Sequence, residues 1–213
     1  MTRLILIRHG ESEANFSRCF AGQIDPDLTP KGRKQVELTA KYVAQNYKTD
    51  KIYSSDLKRA YNTALALSEV TGLPIEKVTA LREINAGKWE GQKFDDLKDL
   101  YPKEFGMWLE HLGSAVCPDG ESVAQIGKRV VTALTDIARK NDGKTVAVAT
   151  HAIPICSAHS IVQYGSVKEM ENIPRVSNAS VSVFEYDNGE WNVVSVSIDD
   201  HLSELVTTLP DNV

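Results

Sequence analysis

Leu4-Ile5-Leu6-Ile7 is a continuous apolar run closed at both ends by Arg3 and Arg8. Such a run fits a strand buried on both faces, which a mainly parallel sheet with helices on either side provides. Thr145 to Ala149 repeats the pattern, and Lys51 to Ser54 is a third candidate strand. Between them the period changes. Thr29 can cap a helix with Pro30 at its first position, and Val36, Ala40, Val43, Ala44 and Tyr47 recur at helical spacing. Ser55 or Asp56 can cap a second helix, striped by Leu57, Ala60, Tyr61, Ala64 and Leu65 and stopped by Gly72. A capping box at Ser122 and Gln125 opens a third, with Val123, Ile126, Val130, Leu134 and Ile137 facing inward. Strands alternating with helices are the signature of an α/β fold.

The tail departs from this rhythm. Ala179 to Tyr186 and Trp191 to Ser197 flank Asp187-Asn188-Gly189-Glu190, a hairpin signal that predicts an antiparallel edge. Between Arg82 and Pro118 the alternation also breaks, and Trp89, Phe94, Tyr101, Phe105 and Trp108 crowd into a short helical or irregular segment. The expectation is one domain over residues 1–213: a three-layer α/β/α sandwich with a mainly parallel sheet, an antiparallel edge and a helical insertion at about 84–118 over the active site.

The formal charge of −5 gives no global basic field, so neither nucleic acid nor an anionic membrane is an expected partner. Any anion site must be built locally. No stretch reaches the roughly 18 apolar residues of a membrane span. Cys19, Cys117 and Cys156 are odd in number and far apart, against a disulfide framework and against a cysteine zinc site. The expected compartment is the cytoplasm.

Four side chains fall at equivalent places. Arg8 and His9 follow the first strand directly, His151 follows the strand ending at Ala149, and Arg59 lies in the first turn of the helix after Ser54. Ligands of open α/β sheets bind at the carboxyl ends of the strands, where helix N-termini also favour anions. Singly, each of the four reads more readily as a surface arginine or a hydrogen-bonded histidine. Together they make a cationic pocket in an acidic protein, and its natural guest is a small phosphorylated molecule.

At these residues the chain resembles a known family. Leu6-Ile7-Arg8-His9-Gly10-Glu11-Ser12 is similar to the Arg-His-Gly signature of the histidine phosphatase superfamily, the group related to cofactor-dependent phosphoglycerate mutase. Asn15, Leu28-Thr29 with Gly32, Ile52 to Leu57 with Arg59, Leu81-Arg82-Glu83, Trp89-Glu90-Gly91, Gly120-Glu121-Ser122 and Thr150-His151 stand in the family's order.

The resemblance implies a phosphomonoesterase that works through phosphohistidine. His9 would be the nucleophile, competent only while neutral. Arg8, Arg59 and a protonated His151 would stabilise the transferring phosphoryl group with no metal and no cofactor. Glu83, expected after a strand at Val78 to Leu81, would protonate the leaving alkoxide and then activate water. Asn15 would add a neutral donor to phosphate, and Gln23 would line the substrate side of the cleft with Arg18 and Glu121. Arg82 to Gly91 resembles the phosphatase branch, since the mutases carry a Glu-Arg-His-Tyr-Gly segment there. A mutase and a phospholigand-binding module without turnover are the alternatives. Two departures, Ala21-Gly22 ahead of Gln23 and Ala152 after His151, bear on substrate identity.

Overall fold

The structure, a computed structural model, describes residues 1–207. In chain order the elements are β1 (Thr2–Arg8), α1 (Glu13–Phe16), α2 (Pro30–Asn46), β2 (Lys51–Ser54), α3 (Lys58–Thr71), β3 (Ile75–Lys77), α4 (Phe94–Leu100), α5 (Pro102–Glu110), α6 (Val123–Lys140), β4 (Thr145–Thr150), α7 (Ala152–Tyr164), β5 (Val181–Asp187) and β6 (Glu190–Ile198). The six strands form one sheet in the order β3-β2-β4-β1-β5-β6. The first four of that order are parallel, whereas β5 runs antiparallel to β1, and β6 to β5. Asn188 and Gly189 close the final hairpin with φ of 49° and 95°, the paired left-handed conformation that a two-residue hairpin turn requires.

Alternation along β1 builds the layers. Leu4 and Leu6 face a core made by α6, α7 and the aromatic insertion, whereas Ile5 and Ile7 face Ala40 and Val43 of α2 and Ala64 and Leu67 of α3. All four β1 side chains are 0–1% exposed, so the apolar run is buried on both faces. Burying each contributes roughly 1.5–3 kcal/mol. The helical stripes are slightly narrower than expected, because Ala44 and Leu65 at their margins stay exposed and Leu67 packs instead. Behind the first strand, α2 lies against backbone: a Cβ on Gly32 would stand 2.0 Å from Glu11 O.

Thr29 caps α2, and the Ser122–Gln125 capping box opens α6. The start of α3 differs from expectation. Its N-cap is Leu57, with no side-chain cap, because Ser55 Oγ lies 2.9 Å from His151 Nε2 and Asp56 accepts from Arg82 at 2.7 Å. The strand expected at Val78 to Leu81 is instead a 3-10 turn over Thr79–Leu81, with the edge strand earlier, at Ile75–Lys77. Val78 N donates to Ser54 O at 2.8 Å, and β2 ends there, so no backbone remains for a later strand to pair with.

Residues 84–118 contribute α4, α5 and short 3-10 turns. Trp89 is 0% exposed, and its ring meets those of Phe20, Phe105 and Trp108 at 5.5, 5.5 and 5.6 Å between centroids. These rings belong to the same apolar cluster as Leu4 and Leu6.

Candidate active site

The carboxyl ends of β2, β4 and β1 lie side by side. Arg8 pairs with Thr150 in register, and His9 N donates to Thr150 O at 3.0 Å, which holds His9 and His151 level. Their rings meet edge to face, 5.1 Å between centroids. His9 Nδ1 lies 2.7 Å from Gly10 O. A carbonyl only accepts, so Nδ1 carries the proton and Nε2 keeps the lone pair. Burial, then the charges of Arg59 and Arg8, hold this imidazole well below its ordinary 6.5. His9 is therefore neutral at pH 7 and lines the cavity described below.

Arg59 is 1% exposed and Arg8 is 7% exposed. Arg8 Nη1 donates to Val176 O, and Arg59 donates to Ile24 O at 3.0 Å and Gly22 O at 2.8 Å. Burial lowers both guanidinium groups, Arg8 to about 10, against the upward pull of Glu83. Among the described residues, Arg8 Nε, Arg59 Nε and His151 Nδ1 are buried without a hydrogen-bond partner. Two orphaned guanidinium donors beside an unpartnered imidazole nitrogen are costly in isolation and suit an anion with several acceptor oxygens.

His151 is 0% exposed and lies beside His9 instead of on the cavity wall. Burial, then Arg59, His9 and Arg8, push it well below 6.5. In the free protein two neighbouring guanidinium charges favour the neutral ring, whereas an arriving dianion would favour the protonated form expected with a phosphoryl group present.

Glu83 follows the 3-10 turn and lines the same cavity, half-buried. Burial raises its carboxyl above the ordinary 4.5, outweighing the Ile84 N–H on Oε1 at 2.9 Å and the charges of Arg59 and Arg8. Its backbone is braced from several sides. Thr150 Oγ1 donates to Leu81 O at 2.8 Å, and Arg129 donates to Ala80 O, Arg82 O and Glu83 O at 2.8, 3.0 and 3.3 Å. Gln23 joins them: its Nε2 donates to Glu83 O at 3.2 Å, and it does not line the cavity, so its expected place against substrate becomes a place behind Glu83. Arg82 turns away to Asp56.

The cavity measures about 620 Å³. Arg8, His9, Asn15, Arg59 and Glu83 lie on its wall, and Phe16, Phe94, Trp108, Leu112, Met170 and Ile173 supply apolar surface. Arg18 also borders it and pairs with Asp95 at 3.3 Å, whereas Glu121 points to Arg129 at 2.7 Å and does not line the cavity. Ala152 also lies on the wall. Among the described residues no three His, Cys, Asp or Glu side chains are grouped to hold a metal ion.

Sequence reasoning missed Ser55, Arg129 and Asn178. Ser55 read as a helix cap, and neither Arg129 nor Asn178 carried a local signal, because the partners of all three are remote in sequence.

Residues 4–199 match the model of the histidine phosphatase superfamily, branch 1. The chain belongs to this family. It is 32% identical over 204 residues to phosphoserine phosphatase 1 of Hydrogenobacter thermophilus, covering 96% of each chain. Among solved structures it is similar to YhfR of Bacillus stearothermophilus, with a TM-score of 0.90, 27% identity, and coverage of 95% of this chain and 100% of that one. It is also similar to a variant of phosphoserine phosphatase from Entamoeba histolytica in complex with phosphoserine, with a TM-score of 0.82, 30% identity, and coverage of 95% and 100%. Among the described residues no helix of this histidine phosphatase is long and apolar enough to cross a membrane.

Proposed function

We propose that this histidine phosphatase hydrolyses phosphomonoesters of small metabolites through phosphohistidine at His9. One observation carries the reading: a neutral His9, two buried arginines with unpartnered donors and a Glu83 carboxyl of raised pKa surround one cavity. His9 Nε2 attacks phosphorus in line while Glu83 gives its proton to the departing oxygen, so a P–N bond forms as the P–O bond breaks. Arg8 and Arg59 balance the charge on the equatorial oxygens, with Asn15 as a neutral donor. Water then attacks phosphorus, Glu83 as carboxylate takes its proton, and the P–N bond breaks to return neutral His9. His151, held by Ser55, keeps an unpartnered Nδ1 in the same cluster and gains a proton more easily once the dianion is bound.

The similarity to phosphoserine phosphatases supports an alkyl phosphate carrying a small charged acid as the first substrate to assay. The apolar core shared by the insertion rings and β1 supports a single domain across the described residues 1–207, with segment 84–118 as its roof; the last six residues of the expected 1–213 lie outside the described residues. The three free cysteines are compatible with the cytoplasm as compartment. The test is release of inorganic phosphate in EDTA from phosphoserine, 3-phosphoglycerate, sugar phosphates and p-nitrophenyl phosphate, with His9→Ala alongside. Release that survives chelation and vanishes in the variant is the expected result. Isomerisation of phosphoglycerate without net release would make the protein a mutase, and binding of phosphate without turnover would make it a recognition module.

A further inference from the structure

The turn before β5 braces the nucleophile. Val176 O and Ser180 O accept from the Arg8 side chain and backbone, and Ala179 N donates to His9 O at 3.1 Å, with Ala179 in the left-handed region at φ 59°. Asn178 sits between them, 0% exposed and on the cavity wall. Its Nδ2 donates both to His9 O and to Asn15 Oδ1, each at 3.1 Å.

We infer that Asn178 is a positioning residue that, together with the Ser12 backbone N–H, holds the Asn15 amide oxygen inward, so that Asn15 presents its NH₂ to the phosphoryl group. The inference rests on the phosphohistidine reading above. An amide can face either way, and here the chain of partners decides. His9 O can only accept, so the Asn178 atom beside it must be the nitrogen. The same nitrogen then meets Asn15, whose facing atom must be oxygen. Ser12 N, at 3.1 Å, and Ser12 Oγ, at 2.9 Å, donate to that same oxygen. With three donors on Oδ1, the Asn15 nitrogen is the atom left for the cleft. Asn178 Oδ1, buried without a partner among the described residues, is consistent with this order: reversing the amide would give that oxygen neighbours, but both would be acceptors.

The test is a double-variant cycle on kcat/KM for p-nitrophenyl phosphate. Asn178→Ala in the wild-type background is expected to lower kcat/KM about tenfold, mainly through KM. In the Asn15→Ala background the same change should cost clearly less than in the wild type, leaving only the share due to the lost hydrogen bond to His9 O, because the donor it orients is gone. Losses that multiply would overturn the coupling while leaving the phosphatase reading intact. Absence of wild-type turnover with every ester would instead overturn the parent reading. A second measurement needs no change at Asn178: in the wild-type protein, saturating inorganic phosphate should move the Asn15 side-chain NH₂ signals in a nitrogen–proton NMR spectrum and leave those of Asn178 nearly in place. Signals from Asn15 that do not respond to phosphate would also overturn the inference.

Discussion

Glu83→Gln separates the two halves of the reaction. Glutamine keeps the size of the side chain and can still accept from Ile84 N–H through its amide oxygen, but it has no proton to give to an alkoxide and no carboxylate to activate water. General acid–base catalysis is worth about 10²- to 10⁴-fold, or roughly 3–5 kcal/mol of barrier. In the proposed role Glu83 contributes in that range, and burial that raises its pKa against two nearby arginines is compatible with a proton donor. An alkyl ester such as phosphoserine must lose an unstable alkoxide, so its turnover should fall by the full factor. p-Nitrophenolate leaves without a proton, so the first step should stay fast and only the hydrolysis of phosphohistidine should slow. Stopped-flow with p-nitrophenyl phosphate is then expected to show a burst of about one equivalent of nitrophenolate, followed by slow turnover. Equal losses on both esters with no burst, or no loss on phosphoserine, would refute the role of Glu83.

Acid should destabilise the free protein. His9 and His151 are both held well below 6.5, so below that value the unfolded chain binds more protons than the folded one and stability falls as pH drops. Glu83, raised above 4.5, works in the opposite direction at lower pH, as one group against four lowered histidines, since burial also lowers His159 and His201. Tm is therefore expected to decline from pH 7.5 to 5.5 and to decline less with saturating inorganic phosphate; a flat profile without phosphate would contradict the buried neutral histidines. Trp89→Ala removes the ring on which Phe20, Phe105 and Trp108 converge and should cost about 3–5 kcal/mol in urea unfolding, whereas a cost below about 1 kcal/mol would mean that the insertion is not part of the main core.

The apolar runs at residues 4–7 and 145–149, the capped helices and the Asp187–Glu190 turn were legible because each is a local pattern: burial on both faces needs consecutive apolar residues, and caps and turns act over three or four positions. The same locality placed Arg8, His9, Arg59 and His151 at strand ends and helix starts, and the resemblance to a family supplied Asn15 and Glu83. Tertiary structure decided the rest. Gln23 moved behind Glu83, the strand expected at 78–81 became a 3-10 turn, and Ser55, Arg129 and Asn178 joined the site through partners 96, 46 and 169 residues away. Protonation was also decided there. A histidine's sequence neighbours do not fix its burial or its distance from two guanidinium groups, and those are what make His9 and His151 neutral.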